Sequence, residues 1–230
     1  ISLVVLHPLF ASIYISKFYR MMGAKVGKNS EISTASDVSH NLLEIGEGSF
    51  IADAVILGEH DVRNGQLILA KTKIGNNSFV GNSGLIPQGY QLGDNMLIGV
   101  LSKTPTEEQL ANSAEKDWFG SPPIGLPSRQ KSDIFNDHLT YNPPASLKFA
   151  RAIVEGIRII LPQTIIIICS VLFIAYTSIY LEGRIPLLLV LSPFYYLGIV
   201  ALPAFFFTVL LKWIFVRKYK KTEIPMYSLR

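Results

Sequence analysis

The sequence holds one cysteine, Cys169, among 230 residues, and it lies inside an apolar run. A single thiol excludes a disulfide scaffold, a CxxC redox pair and a cysteine-based metal site. Charged residues are also scarce, at 17%, where soluble domains carry about 25%. The sequence contains no Walker glycine loop, no GxGxxG after a strand, no HExxH and no GxSxG. These gaps exclude the most easily recognised catalytic sites.

Apolar residues, by contrast, are abundant. They make up 49% of the chain, and the mean hydropathy of +0.34 is high for a soluble protein. The net charge is +4, and Lys and Arg gather at the ends of apolar runs rather than on one soluble face. This distribution favours the phosphates of membrane lipids as partners and argues against nucleic acid.

Between Val26 and Lys103 an aliphatic residue followed by a small one returns every six positions. A period of six fits neither an amphipathic helix nor a simple strand. It fits a parallel β-helix, in which each hexad forms one short side of a triangular coil and its first residue points inward. The first residues of the hexads are Val26, Ile32, Ile45, Ile51, Leu57, Ile74, Val80, Ile86, Leu92 and Ile98.

Two departures from this period mark the places where the coil is interrupted. Ile32 and Ile45 are 13 positions apart, which predicts a bulged corner. Leu57 and Ile74 are 17 apart, and residues 63–73 do not follow the pattern, which predicts a loop that leaves the coil. Insertions in solenoids usually decorate the functional face.

The pattern changes on both sides of the coil. Residues 1–25 are predicted as the end of a transmembrane helix with an amphipathic exit segment, because the apolar run precedes Lys17 and Arg20. Residues 26–103 form the β-helix, and residues 104–146 are predicted as an irregular strap that buries Trp118 and Phe119.

The last third of the chain has helical and apolar character. In residues 147–158, Arg151, Glu155 and Arg158 share one helical face, which indicates either a surface salt-bridge ladder or an interfacial helix that meets lipid phosphates. Residues 159–215 hold two uncharged runs long enough to span a bilayer. Residues 216–230 are predicted to be a basic cytoplasmic lead into a following segment.

We therefore predict a mainly β fold, in which a left-handed parallel β-helix is followed by a transmembrane α-helical hairpin and preceded by a truncated membrane helix. Basic residues follow the second run, whereas the tip between the runs carries only Arg184. The positive-inside rule then predicts a multi-pass protein of the inner or plasma membrane, with the β-helix in the cytoplasm.

The candidate chemistry lies on the coil. Such β-helices commonly transfer acyl groups from a pantetheine thioester, and a histidine with a pKa near neutrality can act as general base. His60 adjoins the predicted loop, with Asp53 or Glu31 as a possible orienting group, and His40 lies in the bulged corner. A surface histidine without a catalytic role is the alternative. Asn82 is open to two interpretations, a structural ladder or a substrate and oxyanion contact.

The order of several segments resembles a known family, the membrane-embedded tandem terminal domains, condensation-like in role, of nonribosomal peptide synthetases of the poly-lysine synthetase type. The resemblance covers nearly the whole chain. It rests on GAKVGKNSEIST, IGEGSFIADAVILGEH, KIGNNSFVGNSG, LIGVLSKTP, WFGSPPIGLP, RAIVEGIRIILP and KYKKTEIPMYS.

This resemblance implies formation of an amide bond from an aminoacyl thioester on the phosphopantetheine of a carrier protein, after loading by an adenylation domain of the same polypeptide. It implies His60 and Asp53 as catalytic residues. It also implies tandem homologous repeats, with a homo-oligomer as the other arrangement. Two alternatives stay open, namely a non-catalytic module that docks the carrier and an acetyltransferase that uses coenzyme A on a membrane glycan. The substrate-binding residues implied are Glu31, Ser33, Thr34, Asn82, Ser83, Trp118, Gly120 and Ser121.

Overall fold

A computed structural model describes residues 6–36, 38–128, 136–140, 142–180, 185–218, 224, 225 and 227. The chain divides into two compact units, Ile1–Pro143 and Pro144–Arg230. Each unit is described by itself below.

The first unit contains fifteen short strands among its described residues. They are β1 Lys25–Val26, β2 Glu31–Ile32, β3 Ala35–Ser36, β4 Leu43–Ile45, β5 Phe50–Ile51, β6 Val55–Glu59, β7 Asp61–Arg63, β8 Gln66–Ile68, β9 Thr72–Ile74, β10 Phe79–Val80, β11 Leu85–Pro87, β12 Gln91–Leu92, β13 Leu97–Ile98, β14 Asp117–Phe119 and β15 Ile124–Leu126.

These strands form the three faces of a coil. Face A holds β1, β4, β9 and β12, face B holds β2, β5, β10, β13, β14 and β15, and face C holds β3, β6 and β11. Successive strands visit A, B and C in turn, and neighbours pair in parallel, except β15 on β14 and the separate hairpin of β7 and β8. The predicted parallel sheets are thus confirmed, whereas the left-handed sense of the coil stays a prediction.

The hexad pattern produces the core because each first residue faces inward. All ten of these aliphatic side chains are at most 9% exposed. They stack on one another through the register of the sheets, as Ile51 does on Ile32 and Val80. Burying one such side chain is worth roughly 1.5–3 kcal/mol, so the column supplies most of the apolar burial of the coil.

A ladder of buried serines closes the corner between faces A and B. Ser49 Oγ donates to the Gly75 carbonyl at 2.7 Å and accepts the Ser78 amide at 3.0 Å. Ser78 Oγ donates to the Gly93 carbonyl at 2.8 Å and accepts the Met96 amide at 3.2 Å. Ser30 begins the ladder in the same way, since Ser30 Oγ accepts the Ser49 amide at 3.3 Å. Each hydroxyl therefore satisfies backbone groups that a sharp corner would leave unpaired.

Both predicted interruptions of the coil are present. The 13-residue interval contains the 3₁₀ helix His40–Leu42. The 17-residue interval contains the hairpin of β7 and β8, which turns at Asn64 and Gly65 with φ of 52° and 73°. Positive φ at both central residues is typical of the type I′ turn that Asn-Gly favours.

Within the described residues 6–25, the N-terminal segment differs from the predicted membrane helix, whereas residues 1–5 of that prediction lie outside the described residues. Helix α1, Ile13–Met21, covers the first coil and buries Ile15 and Tyr19. Arg20 donates from Nε to the Val26 carbonyl at 2.9 Å and from Nη2 to the Gly27 carbonyl at 2.8 Å. The apolar run does not form one helix because Ser12 caps α1 by accepting the Tyr14 amide. Its apolar residues therefore cap the solenoid core.

The opposite end of the coil is covered by the strap. Helix α2, Glu107–Ala111, begins with a capping box between Thr106 and Gln109. Strand β14 continues face B, so that Trp118 follows Ile98 in register and is only 3% exposed. Phe119 is half exposed. The strap thus closes the core mainly through Trp118.

The second unit is helical. Helix α3, Ala145–Tyr180, has 36 residues and contains Pro162, so the predicted interfacial and membrane segments are one helix. Helix α4, Ile185–Tyr195, and helix α5, Leu202–Leu211, are joined by the π-helical turn Tyr196–Ala201. Because Pro203 lacks an amide and its ring crowds the carbonyl four residues earlier, a widened turn at that place relieves the clash. A second π-helical turn, Lys212–Val216, follows α5.

Two stretches of this unit, Ala145–Ala175 and Val190–Ile214, are long and apolar enough to cross a membrane. Over the whole described chain more residues lie in helices than in strands. The term mainly β therefore fits the first unit alone.

The serine ladder generates a prediction about stability. Replacing Ser49 by Ala leaves the Gly75 carbonyl and the Ser78 amide without their buried partner, so the local free energy of unfolding should fall by about 1–3 kcal/mol. Amide hydrogen exchange of β4, β5 and β10, followed by mass spectrometry, measures the loss. Ser128→Ala, at an exposed serine, is the control, and equal protection in both variants would contradict the ladder's role.

His40 gives the solenoid a dependence on pH. Its ring packs edge-on against Tyr19 at 4.8 Å and Phe18 at 6.2 Å, and its Nε2 is buried with no hydrogen-bond partner among the described residues. Burial lowers the pKa of His40 below its usual 6.5. The unfolded chain then binds a proton before the folded chain does, so stability is full above the unfolded pKa and falls as the pH drops below it.

We expect the melting temperature of the chain to fall between about pH 7.5 and pH 5.5, where an unperturbed imidazole becomes protonated. His40→Phe keeps an aromatic ring at this position and should reduce that fall. An identical pH dependence in His40→Phe would show that other groups cause it.

Candidate functional site

Five of the predicted substrate and catalytic residues meet at the corner between faces B and C, here called the B–C corner. Ser33 and Thr34 follow β2, Asp53 follows β5, and Asn82 and Ser83 follow β10. These three strands are neighbours in face B. The corner residues, up to 50 positions apart in sequence, are therefore on successive coils about 4.8 Å apart.

Asp53 is the centre of the hydrogen bonds at this corner. Its Oδ1 accepts from the Ser33 hydroxyl and, at 3.4 Å, from the Thr34 hydroxyl. The amide of Asp53 donates to Asn82 Oδ1 at 3.3 Å, and its carbonyl accepts the Ser83 amide at 2.8 Å. Asp53 is thus held by both neighbouring coils, while its side chain is exposed.

The backbone of this corner repeats an unusual conformation. Ala54, Ser83 and Leu101 have φ of 55°, 55° and 54°. An L-residue in this left-handed region costs about 1–2 kcal/mol. The Thr34 hydroxyl accepts the Ala54 amide at 2.6 Å, which helps to hold the turn. Leu101 adopts this conformation although its side chain is 71% exposed, a combination that packing inside the coil does not explain.

The remaining predicted substrate contacts are dispersed. Glu31 lies on face B opposite Phe50, whose ring stacks on Phe79 at 5.6 Å. Trp118 is buried in the last coil, and its Nε1 has no hydrogen-bond partner among the described residues. Ser121 is exposed in the turn after β14. Trp118 therefore belongs to the core of the free chain, Glu31 lies on face B next to the A–B corner, and Ser121 lies beyond the end of β14.

His60 does not meet Asp53, and the predicted pair in which Asp53 orients His60 is not formed. His60 is exposed at the corner between faces C and A, where the chain enters the hairpin. Between the two residues runs β6, whose five residues extend roughly 16 Å at about 3.3 Å per residue. The sequence placed them in adjacent hexads, and adjacent hexads form different faces of a coil.

The hairpin that follows His60 is itself unusual because its aliphatic side chains face solvent. Val62 and Leu67 are cross-strand partners and are both more than half exposed, as is Leu69. The ion pair between Arg63 and Asp61, at 2.6 Å, lies within β7.

A groove of about 580 Å³ on face A was not predicted. Arg20, Lys25, Glu44, Lys73 and Asp94 contribute its charged lining. Lys25 and Lys71 contact the Glu44 carboxylate at 2.8 and 2.9 Å. Hydrogen bonds from these two ammonium groups lower the pKa of Glu44 to about 2. Since the charges are far apart in sequence, only the stacking of coils reveals the groove.

The predicted interfacial residues lie in the second unit. Arg151 and Glu155 form an ion pair at 2.7 Å whose side chains are 18% and 12% exposed. The Arg151 guanidinium also lies 4.9 Å from the centre of the Tyr227 ring. This geometry favours the salt-bridge interpretation for Arg151 and Glu155, whereas Arg158 is exposed. Among the described residues, no three His, Cys, Asp or Glu side chains are grouped closely enough to hold a metal ion.

Comparison with known proteins gives an extensive similarity to a curated protein. No family model matches the sequence. The chain is 41% identical over 233 residues to the delta-poly-L-ornithine synthetase of Acinetobacter baumannii (strain AB307-0294). The alignment covers 99% of this chain and 17% of that protein, so the chain spans about a sixth of the length of the curated relative it matches.

Among solved structures, a maltose O-acetyltransferase from Clostridium difficile 630 aligns with 50% of this chain and 74% of its own, at a TM-score of 0.37 and 16% identity. A similarity of this size carries no argument about function.

Proposed function

We propose that this chain is a membrane-anchored acyltransferase-like module that forms an amide bond between an aminoacyl thioester on a carrier protein and an amine acceptor. The observation that carries the proposal is the 41% identity to a delta-poly-L-ornithine synthetase along 99% of the chain. A synthetase of such a polymer joins amino acids through amides, and the aligned segment extends through both units. The left-handed hexapeptide form of the coil belongs to the same proposal.

The B–C corner is the place where we locate the reaction. It combines a held carboxylate at Asp53 with the exposed apolar side chains of Val100 and Leu101, two coils further along. The apolar side chains suit the partly apolar pantetheine arm that presents a carrier-bound thioester. Coenzyme A offers the same arm, so the geometry fits both donors.

The chemical step needs few catalytic groups. The neutral acceptor amine attacks the thioester carbonyl carbon, the C–N bond forms, the C–S bond breaks, and the proton lost by nitrogen is taken up as the thiol leaves. Holding both reactants together supplies much of the acceleration, since well-oriented reactants react as if present at about 10⁵ M or more. Fixed corner residues serve this purpose better than a mobile loop does.

Anchoring in the membrane is supported by the second unit. Its two apolar stretches reach the length of a bilayer span. Lys212 lies near the end of the second stretch, and Arg217 and Lys218 follow it. We propose that these three basic residues face the cytoplasm together with the solenoid. We further propose that the same polypeptide contains an adenylation domain, a carrier protein and tandem copies of this module.

The hairpin corner is the second candidate location, because His60 is exposed there beside Val62 and Leu67. An imidazole at this place could remove the proton of the acceptor amine.

The function predicts turnover by the purified chain in lipid nanodiscs. Given ornithinyl-pantetheine thioester and ornithine, the chain should release thiol and form a dipeptide amide faster than the same mixture without protein. Thiol titration and mass spectrometry measure the two products. Equal rates with and without the chain would contradict catalysis and leave a docking module. Transfer from acetyl-coenzyme A alone would indicate an acetyltransferase.

Two variants then locate the reaction. With the B–C corner as the site, His60→Ala should keep the wild-type rate within about threefold, whereas Asp53→Ala should lose at least about tenfold in kcat/KM for ornithine, the loss of a charge-assisted contact. The opposite result, with both variants folded by hydrogen exchange, would move the reaction to the hairpin corner and make His60 the base.

A further inference from the structure

On the basis of the proposed function, we infer that Asp53 binds the non-reacting ammonium group of the acceptor, so that the module selects acceptors with two amines. Asp53 is thereby a specificity-determining residue for the diamino acid acceptor that the proposed function already uses. The two carboxylate oxygens of Asp53 differ in the hydrogen bonds that they accept.

The two oxygens of Asp53 have different surroundings. The hydroxyls of Ser33 and Thr34 both donate hydrogen bonds to Oδ1. Within the described part of the chain, Oδ2 accepts no hydrogen bond and Asp53 takes part in no ion pair. The carboxylate is exposed. One oxygen is therefore used to fix the group, and the other is left to accept an N–H from a ligand.

The surroundings of Asp53 favour a cation. The corner positions on the four coils, residues 33–34, 52–54, 81–83 and 99–101, include no Lys or Arg. In contrast, the Glu44 carboxylate on face A is already neutralised by Lys25 and Lys71. Asp53 is thus a fixed negative charge without a counter-ion from its own corner, and an ammonium group of a substrate would supply one.

The effect of the Asp53 carboxylate on the protonation of a bound amine determines which amine of the acceptor can react. A carboxylate next to an amine stabilises the ammonium form and raises the pKa of that amine. A protonated nitrogen has no lone pair with which to attack a carbonyl. The amine bound at Asp53 therefore cannot be the nucleophile, and the attacking nitrogen must be a second amine of the same acceptor.

The exposed side chains of Val100 and Leu101 lie at a suitable distance from Asp53 for an acceptor bound in this way. Leu101 lies two coils from Asp53, which is about 10 Å at the spacing of neighbouring strands. An acceptor held at Asp53 extends along the corner past Asn82 and Ser83 towards Leu101. Its second amine then points to the side from which an arm packed on Val100 and Leu101 delivers the thioester. Which of the two amines reacts is set by the distance from Asp53.

The test compares three acceptors of similar length in the nanodisc assay. Ornithine has both amines, 5-aminopentanoate lacks the α-amine that the inference places at Asp53, and norvaline lacks the δ-amine that the inference leaves to react. Asp53→Asn keeps an oxygen for Ser33 and Thr34 and removes the charge. We expect it to raise KM for ornithine by about tenfold or more, in line with a charge-assisted hydrogen bond, to change kcat by less than about threefold, and to leave KM for 5-aminopentanoate unchanged.

Glu47→Gln is the matched control, because Glu47 is an exposed carboxylate at the A–B corner, and it should leave the KM values for ornithine and 5-aminopentanoate unchanged. Norvaline should form no amide with any of the proteins. An unchanged KM for ornithine in Asp53→Asn would overturn the anchor. So would an equal rise for ornithine and 5-aminopentanoate, or a fall in kcat alone.

Equilibrium binding separates this inference from the proposed function. Titration calorimetry of ornithine with the wild-type chain and with Asp53→Asn needs no turnover. Binding that weakens by about tenfold in Asp53→Asn supports the anchor even where no amide forms, and in that case the proposed function alone fails. Binding that is absent or equal in both proteins overturns the anchor, even where the chain forms amides.

Discussion

The structure depends on the burial of one aliphatic side chain in every six residues. In a three-sided coil each such residue stacks only on the coils before and after it, as Ile51 does on Ile32 and Val80. Stability in such solenoids is a sum over neighbouring coils, and the two terminal coils each lack one neighbour. Both ends of this solenoid are accordingly covered, by Ile15 and Tyr19 of α1 at one end and by Trp118 of the strap at the other.

Because the core depends on the inward residues, the corner residues of the coil can vary without loss of apolar burial. The inward residues are fixed by the core, whereas the corner residues contribute little apolar burial and are held by hydrogen bonds between coils. At the B–C corner those bonds come from Ser33, Thr34 and Asn82 and converge on Asp53. At the A–B corner the serines satisfy backbone groups inside the turn instead. Two corners of one coil thus use similar polar residues differently: at one they pair buried backbone groups, and at the other they hold an exposed carboxylate.

The sequence was sufficient for the features that repeat. The hexad period predicted the parallel faces and the buried residues. Its two irregular intervals predicted a bulged corner and a loop, where the structure has a 3₁₀ helix and a hairpin. It was insufficient where several elements compete for the same apolar residues. Ile15 and Tyr19 could have faced lipid or the first coil, and the choice depends on the open end of the coil, which no local pattern reveals.

The candidate site was predicted in part for the same reason. Thr34, Asp53 and Asn82 come together because each is the third residue of its hexad, and Ser33 lies directly before Thr34. His60 and Asp53 are close in sequence, but their places in the hexads are not equivalent, and β6 keeps them apart. The sequence did not predict the left-handed backbone of Leu101, because φ is a property of the folded chain. It did not predict the charged groove on face A either, because the groove forms only when coils stack.

The end of the serine ladder sets the length of the solenoid. In the hexads that open with Val26, Ile45 and Ile74 the fifth residue is serine, and in the hexad of Leu92 it is Met96. Met96 has no hydroxyl to donate to a further coil, and its sulfur instead accepts the amide of Gly93 within its own turn, at 3.3 Å. A next coil at this corner would find no donor for its carbonyl. The replacement of serine by methionine at this position therefore ends the ladder, and the strap follows instead of a further coil.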